Sequence, residues 1–215
     1  MAAAAKPGSK RAELRDFKRG QILAAARRIF AERGMEAATM REIAAAAGCT
    51  TGAIYPLFPG KEEIYAALLR DSLTQAEAAL LAALALPGND GEKLKRGVLA
   101  WFGYYAARPA EVALGLHLFR GGRQQAGLGP HGLGETIDRD LNARMLRQLD
   151  AFGALLGGIG KLSPSLQQIE TASLFAHLLG LLMAQHTGRL KTLGQPAETL
   201  LNHHLDALIA RLQWE

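Results

Sequence analysis

The chain has 215 residues, 25 Lys/Arg against 20 Asp/Glu, a net charge of +5 and 49% apolar residues. That length suits one mid-sized domain or a small domain joined to a larger one, and the apolar share excludes disorder as a class. A single cysteine excludes an internal disulfide framework and a Cys-based zinc finger, and fits a reducing compartment.

The excess charge sits at one end. Residues 1–61 hold 11 Lys/Arg against 5 Asp/Glu, whereas residues 62–215 hold 14 against 15. A small basic domain on a near-neutral larger one points to a polyanion-binding module attached to a ligand or partner domain. Residues 1–16 read as a flexible basic arm able to add phosphate contacts. Nothing there is apolar enough for a signal peptide, and the longest apolar stretch, 172–184, is too short to span a membrane. The expectation is a soluble, cytoplasmic protein.

Alanine and leucine dominate, no stretch has strand character, and the predicted elements are all helices. The first covers about 17–33, with Ile22, Ala26, Ile29 and Phe30 as its apolar stripe and Gly34 as its stop. Thr39 and Glu42 form a capping box opening the second helix, which Gly48 ends. A third begins at Thr50 or Thr51 and ends by Phe58. A long fourth runs from Lys61 toward Pro87. Three short helices with a four-residue bend between the second and third have helix-turn-helix geometry. The bend needs a residue tolerant of positive φ, which Gly48 supplies. The helix after it must be small on its outer side to enter a DNA groove, and Thr51, Gly52 and Ala53 are small.

Residues 24–69, about a quarter of the chain, resemble the N-terminal DNA-binding domain of the TetR family of bacterial transcriptional regulators. The residues that carry the resemblance run from Ile22-Leu23-Ala24-Ala25-Ala26 through Phe30, Gly34, Thr39, Ile43-Ala44 and Gly48. They continue with Thr51-Gly52-Ala53-Ile54-Tyr55, Phe58 and Lys61-Glu62-Glu63-Ile64. The resemblance implies a homodimeric regulator binding a near-palindromic operator. It implies that Thr39 and the first amides of the second helix hold a phosphate, and that Arg41 reads a guanine edge. Thr51 and Ala53 would face the bases, Thr50 and Gly52 belong to the same DNA-binding stretch, and Tyr55 and Lys61 would contact phosphates. One departure stands out. Pro56-Leu57 follows Tyr55 where the family usually has an aromatic and then His or another polar residue. A proline there removes an amide donor, biases Tyr55 toward extended backbone and is expected to shorten or tilt the third helix.

Beyond residue 91 the pattern predicts a fifth helix over 92–107 and a sixth from Pro109 to about Arg120. A loop over 121–134 holds Gly121, Gly122, Gly127, Gly129, Pro130, Gly132 and Gly134. It is not a phosphate loop, since no Gly-Lys-Ser/Thr follows. A seventh helix is predicted over 135–156, fraying at Gly157-Gly158, an eighth from Ser163-Pro164 to Gly188 and a ninth from Pro196 to Leu212. The fold class is therefore all-α, about nine helices in two parts. Residues 17–61 form a helix-turn-helix domain, and 62–215 form a ligand-binding and dimerisation bundle.

Apolar faces with polar breaks predict a small-molecule pocket between the fourth and seventh helices. Its candidates are Trp101, Phe102, Tyr104, Tyr105, His117, Phe119, Met145, Phe152 and His177. The eighth helix is apolar almost all round and asks for a partner. The resemblance implies that it and the last helix pair with a second copy. The dimer candidates are Ala172, Phe175, Ala176, Leu179, Gly180, Met183, Leu201, Leu205 and Leu208. His203-His204 do not make a metal site, because adjacent helical residues diverge by about 100°. No catalytic constellation or cofactor motif occurs. The leading reading is a non-enzymatic, ligand-responsive repressor that leaves its operator when a small apolar or aromatic molecule binds. The alternative is a helical small-molecule-binding or interaction module whose basic head binds nucleic acid weakly and without sequence preference.

Overall fold

In the computed structural model, residues 7–117 and 133–214 are described, and these contain ten helices and no strand. They are α1 (Pro7–Ala37), α2 (Met40–Ala46), α3 (Thr51–Ile54), α4 (Lys61–Leu84), α5 (Asp90–Ala106), α6 (Pro109–His117), α7 (Glu135–Gly160), α8 (Pro164–His186), α9 (Arg189–Leu193) and α10 (Ala197–Trp214). The chain divides into two compact units, residues 1–70 with 113–138 and residues 71–112 with 139–215.

In the first unit, Ile22, Ala26, Ile29 and Phe30 of α1 are buried, as their spacing predicts. Ile43 of α2, and Ile54 and Phe58 on either side of the Tyr55 turn, join them at 0–1% exposure. Each fully buried side chain of this kind contributes about 1.5–3 kcal/mol. The break in α1 falls at Gly34 (φ 77°). Its start differs from expectation. The helix begins at Pro7 rather than near Phe17, so the described part of the basic arm is helical. Pro7 is tolerated there because the first turn needs no amide donor.

In the second unit, α5, α8 and α10 pack on one another around Leu94, Val98, Leu174, Leu178, Leu201 and Leu205. Two boundaries move. Asn89 and Glu92 form a second capping box, each side chain accepting from the other's backbone N–H at 3.0 Å, so α5 starts at Asp90. α7 does not fray at Gly157-Gly158 but continues to Gly160. A Cβ at Gly153 would lie 2.9 Å from Thr171 Oγ1, and one at Gly157 2.5 Å from Gln167 Oε1. These glycines are sites of close approach to α8 within a continuing helix. The short α9, bracketed by the left-handed glycines Gly188 and Gly194, was not anticipated. The end of the sixth helix beyond His117, including Phe119, and most of the predicted glycine loop lie outside the described residues.

Candidate functional site

The helix-turn-helix is built from local signals. Thr39 Oγ1 accepts the Glu42 amide at 3.2 Å, and the Glu42 carboxylate accepts the Thr39 amide at 3.0 Å. The hydroxyl of Thr39 and the guanidinium of Arg33, 3.1 Å away, hold the Glu42 carboxyl below its ordinary range. α2 is therefore anchored to the end of α1. Gly48 turns the chain at φ 69°, with its amide donating to Ala45 O and the Cys49 amide to Ala44 O. α3 then starts at Thr51, and Thr50 precedes it without a side-chain capping bond.

The outward side of α3 is small. Gly52 and Ala53 are exposed, Thr51 is half-buried, and Ile54 points into the core. Tyr55 is 51% exposed, so its ring is not consumed by packing. Arg41 and Thr39 are exposed on α2 and its cap. Thus seven of the eight candidates share one accessible stretch of chain, from the start of α2 to the turn after α3. Lys61 is different. Its ammonium donates to Met35 O at 3.1 Å and Glu36 O at 3.2 Å, tying the start of α4 to the end of α1. These bonds brace the head, a role the sequence reading did not give Lys61.

Pro56 acts differently from expectation. The recognition helix is indeed short, but Tyr55 stays helical at φ −58°, ψ −36°. The amides of Leu57 and Phe58 both donate to Ile54 O at 2.9 Å, and Phe58 is 1% exposed. This buried anchor and shared carbonyl outweigh the steric bias of a residue preceding proline. Arg19 of α1 lies over the Phe58 ring, 4.3 Å from its centroid, and covers the turn that follows α3.

The second unit holds an aromatic cluster. Trp101 lies 4.7 Å from Tyr105, 6.4 Å from Phe152 and 6.2 Å from Phe175 between ring centroids, and Tyr104 and Tyr105 are 5.0 Å apart. All but Phe175 are at most 8% exposed, and Met145 is half-buried. One polar side chain crosses the cluster. Gln148, 2% exposed, accepts from Trp101 Nε1 at 2.8 Å and donates to Leu73 O at 3.0 Å. The sequence reading did not single out Gln148, although a lone glutamine in the apolar series Leu141, Met145, Phe152 and Leu156 is a visible signal. Burial pushes the Tyr105 phenol up to about 12, so it stays a neutral donor.

Two pocket candidates lie elsewhere. Phe102 faces a separate 680 Å³ cavity with Leu99, Leu190, Lys191 and Pro196. His177 does not reach the aromatic cluster. It stacks on His204 of α10 with ring centroids 3.8 Å apart. The side chain of His117 lies outside the described residues.

The dimer candidates separate cleanly. Ala172, Ala176, Gly180 and Met183 are exposed along one face of α8, with Phe175 and Leu179 half-buried beside them. Leu201, Leu205 and Leu208 are 0%, 0% and 6% exposed within their own chain. They fill the core against α5 and α8 and have no surface left to offer a second copy, which corrects their assignment to an interface.

Residues 22–68 match the family model described as bacterial regulatory proteins, tetR family. That match covers the helix-turn-helix head and not the rest of the chain. It is 36% identical over 90 residues to the transcriptional activator FasR of Mycolicibacterium smegmatis, covering 42% of this chain and 41% of that one. It is 35% identical over 97 residues to the transcriptional repressor KstR2 of Mycobacterium tuberculosis, covering 45% of this chain and 48% of the relative. The aligned part thus spans less than half the length of either. In fold, the chain is similar to the fatty acid degradation regulator FadR from Bacillus halodurans, with TM-score 0.67, 20% identity and coverage of 96% and 97% of the two chains. The ketosteroid transcriptional regulator KstR2 gives TM-score 0.62 at 23% identity, covering 89% and 93%. No helix among the described residues is long and apolar enough to cross a membrane.

Proposed function

We propose that the protein is a sequence-specific DNA-binding transcriptional regulator, a homodimeric repressor released from a near-palindromic operator by a small apolar or aromatic ligand. The observation that carries this reading is the exposed, small-residue face of α3. It follows a left-handed glycine turn and stands on buried Ile54 and Phe58, in the part of the chain with all the excess positive charge. Arg41, Thr51 and Ala53 read base edges, and Thr39 and Tyr55 hold phosphates. Residues 17–61 are the reading domain, and 62–215 carry ligand binding and dimerisation. The site of action is the cytoplasm.

The exposed face of α8 supports the dimer. Ala172, Ala176 and Gly180 recur at intervals of four and allow a second backbone to come close. Two heads related by a two-fold axis enter successive major grooves about 34 Å apart. The Trp101 cluster supports an apolar or aromatic ligand, and the fatty acid and ketosteroid chemistry in the names of FadR and KstR2 agrees with it. The ligand needs only a higher affinity for the arrangement that does not fit the operator.

Selection of bound duplexes from a random library at near-physiological salt tests the reading. One near-palindromic consensus, preferred ~10³-fold or more over random DNA, is expected. Salt-sensitive binding without consensus overturns it in favour of a non-specific binder.

A further inference from the structure

The core-facing stripe of α1 does not end where the core ends. Ile22, Ala25, Ala26 and Ile29 are buried, and none of residues 10–21 is. The same face continues backward at intervals of four and three through Lys18, Arg15 and Arg11, all exposed. None of these three cations has an ion-pair partner among the described residues. One helical face is thus apolar while it covers the head and cationic where it overhangs.

The overhang has a defined neighbour. Arg19 lies against Phe58, four residues beyond the last residue of α3. At 1.5 Å per residue, Arg11 stands about 12 Å further along the helix from that point. This corresponds to three or four base-pair steps of about 3.4 Å.

We propose that Arg11, Arg15 and Lys18 form a second DNA-binding element, a rigid cationic strip that grips backbone phosphates flanking the base pairs read by α3. This rests on the DNA-binding reading above and extends it. The occupant is duplex DNA, because a bare cationic row with no acceptor groups and no apolar pocket selects a repeating anion and not a base edge. The strip lengthens the contacted site without adding sequence information.

The test compares the full-length protein with R11Q/R15Q/K18Q on two duplexes. One is the selected operator trimmed to its consensus, and the other carries about four extra base pairs of arbitrary sequence at each end. On the long duplex the slope of log K against log salt should be shallower in the variant by about 2.7 per protomer, from about 0.9 per lost phosphate contact. On the trimmed duplex the two proteins should differ little, and the consensus should be the same for both. Glutamine keeps the helix propensity of these exposed positions, and an unchanged circular dichroism spectrum verifies it. Equal slopes on the long duplex, with the consensus intact, would overturn the strip and leave the regulator standing. If wild type finds no consensus, the regulator reading fails, and a slope difference on random DNA would still support the strip.

Discussion

Trp101 and Gln148 meet inside the second unit at 2.8 Å, indole N–H to amide oxygen, on side chains 5% and 2% exposed. The amide of the same glutamine spans to Leu73 O at 3.0 Å. A single side chain on α7 thus joins α5 and α4, and it does so at the centre of the aromatic cluster. Replacing it with leucine keeps the volume but strands the indole N–H. Gln148→Leu should cost about 1–3 kcal/mol, the penalty for an unsatisfied buried donor. Urea denaturation measures it, and an unchanged midpoint would show that the bridge contributes nothing.

Trp101 also offers a probe of the proposed ligand. The only other tryptophan, Trp214, is 91% exposed. Trp214→Phe should therefore leave a protein whose emission comes from the buried cluster and is blue-shifted. Binding of an apolar ligand among these rings should change that emission saturably, whereas a ligand in the cavity beside Phe102 and Lys191 should change it less.

Lys61 separates a bracing role from a phosphate contact. Its ammonium bridges the Met35 and Glu36 carbonyls. Lys61→Ala should destabilise the head by about 1.5–3 kcal/mol, the range for a charged hydrogen bond. The salt slope of DNA binding should stay close to wild type. A slope lowered by about 0.9 per protomer at unchanged stability would restore the phosphate contact.

His177 and His204 make stability depend on pH. Burial lowers both below their ordinary value of 6.5. His204 is also lowered by Arg211 and His203 and raised by Glu170, whose carboxylate accepts from Arg211 at 2.7 Å. A histidine with a depressed folded value binds its proton more weakly in the folded state. Its contribution is therefore present in full above pH 6.5 and is lost as pH falls below it. The denaturation midpoint should drop between pH 7.5 and 5.5, and His177→Asn with His204→Asn should flatten that drop.

The face of α8 makes the oligomer testable without harming the fold. Ala176 is exposed in the single chain. Ala176→Asp should leave helicity and thermal unfolding cooperativity intact and shift the mass in solution from dimer toward monomer. Leu205→Asp, by contrast, should unfold the second unit, because Leu205 is fully buried.

The first unit was legible because its signals are local. The capping box Thr39–Glu42, the glycine turn at Gly48 and the spacing from Ile22 to Phe30 each act within a few residues. Helix geometry converts them directly into caps, bends and buried faces. The same holds for the ends of α8 and α10, and it should have held for Asn89–Glu92, which carries the same capping signature. What residue spacing could not decide were matters of who stands opposite. Gly157 reads as a helix breaker until Gln167 is seen to need its space. Lys61 reads as a free cation until the Met35 and Glu36 carbonyls come within 3.2 Å. Leucines 201, 205 and 208 share a helical period with any interface, and only packing against α5 and α8 assigns them to the core. Periodicity names the face of a helix that must leave water. Which surface receives it, a neighbour in the same chain, a ligand or a second copy, is decided by long-range contacts that no local pattern encodes.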